Sequence, residues 1–185
     1  MINETLKEAE QKMDKAVSVT REDFAAIRTG RAHPSMFHKI NADYYGNPTP
    51  LQQLASFTVP EARVIIISPF DQSAMSAIEK AIRDSDLGVN PTDDGKNIRV
   101  VLPELTEERR KDYIKVARSK AEEGRVSIRN IRRHAKQSLD KLEKDGEVGK
   151  DDVTGAEKRL DGLTKKHVDA IDDMLKHKEA ELLEV

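Results

Sequence analysis

The fold follows from one segment, TEERRKDYIKVARSKAEEGRVSIRNIRRHAKQSLDKLEK, which occupies residues 106–144. Thr106 can cap a helix, Glu107 and Glu108 complement the positive end of its dipole, and Gly146 follows the last turn. No proline interrupts the segment, so the sequence predicts one long helix. Small and apolar residues recur at alternating steps of three and four: Ile114, Ala117, Ala121, Gly124, Ile128, Ile131, Ala135, Ser138 and Leu142. This heptad spacing is typical of a helix that packs along partner helices.

A second set of side chains on the same helix is basic. Its members fall within one sector of about 100° and are Lys111, Lys115, Arg118, Arg125, Arg129, Arg132 and Lys136, with Arg133 beside them. We call these residues the basic row. The segment carries 13 Lys and Arg against 7 Asp and Glu, although the whole chain has a formal net charge of −2. The row is either a solvated helix face with ion pairs or a surface for nucleic-acid phosphates, and the spacing leaves both interpretations open.

Two further segments have helical periodicity, and the middle of the chain does not. Apolar residues recur at helical spacing over residues 1–28 and from Val153 to Leu182. Between them, alternation and turn signals predict strands at 37–45, 55–59, 64–67, 87–91 and 97–102, a loop at 46–50, and a short helix capped by Asp71 or Ser73. The pattern therefore predicts an α+β fold in which a small β/α/β domain is inserted into a helical bundle.

The predicted boundaries fall at two short connections. Residues 1–30 and 105–185 are expected to form an antiparallel three-helix bundle, and residues 31–104 the inserted domain. Two connections side by side favour a hinge. Its expected residues are Thr29, Gly30, Arg31, Glu104, Leu105 and Thr106.

Composition argues against several classes of protein. The chain of 185 residues has no cysteine, so disulfides and cysteine metal sites are excluded. The N-terminus lacks a signal peptide, and the longest apolar run, residues 64–67, is too short to cross a bilayer, so we expect a cytoplasmic protein. No phosphate-binding loop, dinucleotide fingerprint or nucleophile elbow is present, so we expect neither an enzyme nor a cofactor. His33 and His38 lack a third ligand, so no metal site is expected.

Several motifs resemble those of the ribosome recycling factor family over nearly the whole chain. They are IRTGRA at 27–32, YYG at 44–46, TPL at 49–51, QLA at 53–55, SDLG at 85–88, LTEERRK at 105–111 and RNIRR at 129–133. The resemblance implies an elongated, L-shaped protein of tRNA-like dimensions with a hinge between its domains. It also implies a translation factor that binds the ribosome after peptide release, and that splits it into subunits together with elongation factor G and GTP.

The resemblance also assigns partners and site residues. The helical domain would lie on large-subunit rRNA, without a membrane or a small-molecule substrate, and the protein would be a monomer. The implied rRNA contacts are Arg129, Arg132 and Arg133, with Arg125, Arg110, Arg28 and Arg31 as further candidates. His33 and His134 receive no role. The alternative is a helical adaptor or chaperone, associated with ribosomal particles, that binds RNA or protein.

Overall fold

The computed structural model describes residues 1–184, which form two compact units. Unit 1 contains Met1–Phe24 and Ile114–Ala180, and unit 2 contains Ala25–Tyr113 and the described residues from Glu181 onward. In chain order the elements are α1 (Ile2–Ala25), β1 (Asn41–Tyr44), β2 (Asn47–Pro50), α2 (Leu51–Leu54), β3 (Ala55–Glu61), β4 (Val64–Pro69), α3 (Met75–Arg83), β5 (Pro91–Asp93), β6 (Ile98–Val101), α4 (Glu107–Lys144) and α5 (Lys150–Leu183). The predicted α+β class is confirmed.

Both ends of α4 lie where the sequence predicts them. The Thr106 hydroxyl oxygen accepts a hydrogen bond from the amide of Arg109 at 3.1 Å and so caps the first turn. Beyond the last turn, Gly146 has a φ of 73°, and the amide of Glu147 donates to the carbonyl of Leu142 at 3.0 Å. A glycine in the left-handed region is the usual way to end a helix.

Unit 1 is a three-helix arrangement of α1, α4 and α5. Asn3 and Asp14 of α1 contact Arg159 and His167 of α5, so these two helices run parallel. Thr20, near the end of α1, contacts Gly124 in the first half of α4, and the α1–α4 groove near the start of α1 is lined by residues from the end of α4, so α4 runs opposite to α1.

The inner face of α4 follows the predicted heptad spacing except at Ser138, and the predicted members Ile114, Ile131 and Leu142 are half-buried. Its buried residues are Ala117, Ala121, Gly124, Ile128, Ala135 and Leu139. Ser138, which was expected on this face, is exposed, and Leu139 is fully buried instead. Ser138 and Leu139 lie three and four residues after Ala135, so both are near the same face of the helix. The larger apolar side chain, Leu139, occupies the inward position.

Unit 2 is built around an antiparallel sheet with the strand order β3-β4-β6-β5. Strand β4 lies between β3 and β6, and as expected it is mostly buried on both faces. Strand β5 pairs with β6 across the predicted Asp94–Gly95 turn region. The core is large and mostly aliphatic, and its fully buried side chains include Phe37, Leu51, Ile65, Ile67, Ile78, Ile82, Ile98 and Leu102.

Three local predictions in unit 2 were wrong. The strand predicted at 87–91 lies further along the chain, as β5, and overlaps that prediction only at Pro91. Residues 34–37 form a 3-10 helix capped by the His33 side chain, so the predicted strand at 37–45 shortens to β1. The predicted loop at 46–50 contains β2, which pairs with β1 despite its two prolines, because an edge strand can omit amide donors on its outer side. The connection is a two-residue turn of Tyr45 and Gly46, both with positive φ.

Candidate nucleic-acid interface

The arginines of the basic row differ in exposure. The side chains of Arg118 and Arg129 are 64% and 57% exposed, whereas those of Arg132 and Arg125 are 39% and 18% exposed. Arg133 is also exposed. The row therefore contains cations that solvent or a ligand can reach and one that is largely enclosed.

Three arginines of the row bond to carboxylates of α5. The donor is Nε in each case, and the distances are 2.7 Å for Arg118 to Glu179, 2.7 Å for Arg125 to Asp172 and 2.7 Å for Arg132 to Asp161. The partners occur in reverse order along α5, as expected for antiparallel neighbours. We call these three ion pairs the Nε ladder. Part of the solvated-face interpretation is therefore correct, because the row does carry ion pairs, although these pairs join two helices.

Arg125 is the most firmly held member of the ladder. Its Nη1 also donates to Glu122 at 3.1 Å. Burial alone would lower the pKa of Arg125, but its hydrogen bonds to Asp172 and Glu122 raise it on balance. An enclosed arginine with two carboxylate partners has little capacity left for a phosphate, so Arg125 stabilises unit 1.

Arg129 and Arg133 are exposed and are held by the fewest close carboxylate contacts among the arginines of the row. Arg129 makes one long contact, 3.4 Å from Nη1 to Glu122. Within residues 1–184, no carboxylate lies within 4.0 Å of the Arg133 guanidinium. Both side chains can therefore turn toward a ligand at low cost.

Arg110 is occupied by backbone groups of unit 2. Its Nη1 donates to the carbonyls of Leu182 and Glu184 at 3.3 and 2.8 Å, and its Nε donates to that of Leu105 at 3.4 Å. The last carbonyls of a helix lack partners within the helix, and a cation satisfies them well. Arg110 therefore caps the end of α5, and its role as an RNA contact is not favoured.

Arg28 is buried, contrary to its expected place on an RNA surface. Only 3% of the residue is exposed, and Nη2 donates to the carbonyl of Pro103. Burial lowers the pKa of the Arg28 guanidinium, and no carboxylate within the described chain pairs with it. Its fixed position joins two distant segments of unit 2. Arg31, by contrast, is exposed.

The predicted hinge residues all belong to unit 2. Leu105 is 7% exposed, and Glu104 lies 3.7 Å from Arg63. Gly30 does not have a positive φ, so the left-handed conformation considered for it is not adopted here. Its Cβ position is nearly open, with the carbonyl oxygen of Glu184 at 3.9 Å.

No group of three His, Asp or Glu side chains within residues 1–184 could hold a metal. His167, which is 3% exposed, lies between the Leu163 carbonyl at 2.7 Å and Asp14 at 2.6 Å, so it links α5 to α1. No helix among these residues combines the length and the apolar character that a bilayer span requires.

Sequence reasoning missed the acidic half of the ladder. No partner was predicted for Asp161, Asp172 and Glu179 of α5. A signal did exist, because the three ladder arginines are seven residues apart and Asp172 and Glu179 repeat that interval. Matching heptad spacings of opposite charge on two helices predict interhelical pairs.

The chain joins a three-helix unit that carries accessible arginines to a small α+β unit. Its similarity to known proteins places it among the translation factors. The chain belongs to the ribosome recycling factor family, whose sequence model matches residues 20–183. Two curated ribosome-recycling factors align over the full length of both chains. The one from a Nocardioides species is 76% identical, and the one from Acidothermus cellulolyticus is 71% identical.

Solved structures agree with this assignment. A solution structure of the ribosome recycling factor is 41% identical, with a TM-score of 0.78 over 100% of this chain and 98% of that chain. A second match is the T. thermophilus ribosome recycling factor in a structure that also contains E. coli elongation factor G, bound to the E. coli post-termination complex. It is 41% identical, with a TM-score of 0.70 over 100% of both chains.

Proposed function

We propose that this chain binds the post-termination ribosome through the basic row and that, with elongation factor G and GTP, it splits the ribosome into subunits. The observation that carries the RNA-contact part is the accessibility of Arg129, Arg132 and Arg133 within little more than one turn of α4. Side chains this close together can reach neighbouring phosphates of one RNA surface. Large-subunit rRNA is the proposed ligand, and Arg118 extends the surface along the helix.

The structure changes the proposed set of RNA contacts. We propose no RNA contact for Arg28 and Arg110, whose donors serve the backbone of unit 2, or for Arg125, which two carboxylates enclose. Arg31 remains a candidate. The protein is proposed to act as a cytoplasmic monomer without catalytic activity or cofactor of its own.

The direct test uses purified post-termination ribosomes with elongation factor G and GTP. Subunit splitting is followed by light scattering with and without this protein. Splitting that depends on all three components is expected, and equal splitting without the chain would contradict the proposal. Loss of the association after RNase treatment separates RNA binding from the alternative of a protein-binding adaptor.

The contact surface is tested by Arg132→Ala in a titration of large subunits. Affinity should fall by about 1–3 kcal/mol, the scale of one charge-assisted contact. If about five cations meet phosphates, log affinity should fall with log salt at a slope of roughly −3.5 to −4.5, and the variant should flatten it by nearly one unit. Arg159→Ala is the matched control, because Arg159 is an exposed arginine of α5 that contacts Asn3 of α1. An unchanged affinity and salt slope for Arg132→Ala would contradict RNA binding by the basic row and favour its interpretation as a solvated helix face.

The hinge and the domain limits remain proposals. Residues 1–30 joined by a short linker to 105–185 are expected to fold and to bind ribosomes without the inserted domain. Gly30→Val should leave stability nearly unchanged, because its Cβ would meet nothing closer than 3.9 Å in this conformation. It should reduce splitting, because the proposed hinge motion would take Gly30 through backbone conformations that a β-branched residue disfavours. Binding that follows an isolated 31–104 fragment would contradict the first expectation, and full activity of Gly30→Val the second.

A further inference from the structure

The Nε ladder leaves a specific part of each guanidinium unused. A guanidinium has five N–H donors in a planar fork, and its two Nη groups form one edge that can grip an anion with two bonds. In Arg132 and Arg118 the bond to α5 comes from Nε at 2.7 Å. Within residues 1–184 their Nη groups have no hydrogen-bond partner. The carboxylate therefore fixes the head while the phosphate-binding edge stays available.

We propose that Asp161 and Glu179 are positioning residues, which hold Arg132 and Arg118 in the orientation that binds RNA phosphates. This inference rests on the function proposed above. Asp172 is not included, because its partner Arg125 also donates from Nη1 to Glu122. The two carboxylates need not contact RNA, since they act through the arginines that they orient.

Two physical effects of these carboxylates oppose each other. A carboxylate near a phosphate repels it, so charge counting predicts that removing the acid tightens binding. The carboxylate also orders the arginine side chain before binding, and this tightens binding because less conformational entropy is lost in the complex. The effect is worth roughly two- to tenfold in affinity per arginine. The repulsion is screened at an exposed site, where Asp161 is 57% exposed, so the ordering effect should dominate.

The experiment is a titration of large ribosomal subunits with the full chain and with Asp161→Asn, at several salt concentrations. Affinity should fall about three- to tenfold, although the variant carries one negative charge fewer. The salt slope should stay unchanged, because the number of phosphates contacted is the same. Circular dichroism checks that helicity is retained.

The matched control is Asp169→Asn. Asp169 also lies on α5 and is exposed, but it pairs with Lys165 of its own helix at 2.6 Å. This change removes the same charge without releasing an arginine of α4. Its affinity should equal that of the parent chain or be slightly tighter.

Two further variants separate positioning from general structure. In an Arg132→Ala background, Asp161→Asn should cause no additional loss, because no guanidinium is left to orient. Asp161→Glu, which keeps a carboxylate, should recover part of the affinity. Binding by Asp161→Asn that is as tight as that of Asp169→Asn, or tighter, would overturn the inference and leave the proposed surface intact. If Arg132→Ala itself binds normally, the proposed surface is wrong and the inference fails with it.

Discussion

Three arginines of unit 1 bond to carboxylates along the boundary of α4 and α5, whereas Arg28 and Arg110 of unit 2 bond to backbone carbonyls. Arg132 gives only its Nε to Asp161 and stays partly exposed. Arg110 gives donors to three carbonyls, and Arg28 is almost completely buried. A carbonyl at a helix end or in a loop thus withdraws an arginine from the surface. In Arg118 and Arg132, a carboxylate on a neighbouring helix leaves the guanidinium partly exposed, whereas Arg125, with two carboxylates, is largely enclosed.

The cores of the two units also differ. In unit 1, α4 packs against its neighbours through the small residues Ala117, Ala121 and Gly124. Small side chains let the helix backbones approach closely, so little free space is left between them. Unit 2 instead packs large aliphatic side chains such as Ile65 and Ile98 between its sheet and α3. Unit 1 should therefore be sensitive to added volume, and unit 2 to the loss of buried groups.

Arg28→Ala should have the largest effect on stability. It removes a charged hydrogen bond to Pro103 and leaves a cavity in unit 2, so the free energy of unfolding should fall by about 2–3 kcal/mol. Denaturant unfolding followed by circular dichroism measures this. Arg28→Met fills the space without burying a charge and should cost less. Normal stability together with a flatter salt slope in ribosome binding would place Arg28 on the RNA surface and remove the contrast between the units.

Gly124→Ala tests whether unit 1 is sensitive to added side-chain volume. A Cβ at this position would lie 2.4 Å from Thr20 Oγ1 and 2.8 Å from Ile171 Cδ1. The overlap should outweigh the better helix propensity of alanine and lower the free energy of unfolding by about 1–2 kcal/mol. Gly162→Ala is the control, because nothing lies within 4 Å of its Cβ position, and it should stabilise by about 0.5–1 kcal/mol. Equal effects of the two changes would contradict tight packing at Gly124.

Arg110→Ala should have a smaller effect. Three carbonyls lose a donor, but water can replace it at this partly exposed position, so the expected loss of stability is about 1 kcal/mol. The change in thermal midpoint measures it, and Arg31→Ala, an exposed arginine of the same unit, should leave the midpoint unchanged. A stable Arg110→Ala variant with weakened ribosome binding would return Arg110 to the proposed contact surface.

The smallest effect is expected at Tyr44 and Asp71. Hydrogen bonds from Ser73 and then from Tyr44 lower the pKa of Asp71, and the bond to Asp71 raises the pKa of Tyr44 to about 12. Because the pKa of Asp71 is depressed, its contribution to stability is present above the ordinary pKa of 3.8 and is lost as the pH falls through the folded-state pKa. Tyr44→Phe removes one donor, so the pKa of Asp71 should rise toward its ordinary value. An NMR titration of that carboxyl measures the shift, and an unchanged pKa would contradict the role of the hydroxyl.

The long-range periodicity of the sequence predicted the helices well and the middle segment less well. Helix α4 begins and ends within a residue of its prediction, because Thr106 and Gly146 have strong local preferences. The strand β2 was missed because Pro48 and Pro50 usually mark loops, and only its pairing with β1 makes them acceptable. Local preference cannot reveal a partner strand.

For the candidate site, too, the sequence predicted the local features and not the long-range contacts. The residue spacing in α4 predicted the basic row, because helical periodicity alone decides which side chains share a face. It could not show that Arg28 points inward, because the carbonyl of Pro103 is 75 residues away in the chain. Nor could it show which carboxylates meet Arg118, Arg125 and Arg132. Those partners depend on the register of two helices, which packing alone determines.

The prolines of the small sheets have a further consequence for solubility. Unpaired amides and carbonyls at the edge of a sheet can recruit a strand from another molecule. Here the edge strand β3 contains Pro60 next to an irregularity in its pairing, and the opposite edge, β5, is three residues long and begins with Pro91. The separate hairpin has Pro48 and Pro50 in β2. Each of these strands offers an incomplete row of donors, so sheet-to-sheet polymerisation is discouraged even when the protein is crowded at high concentration.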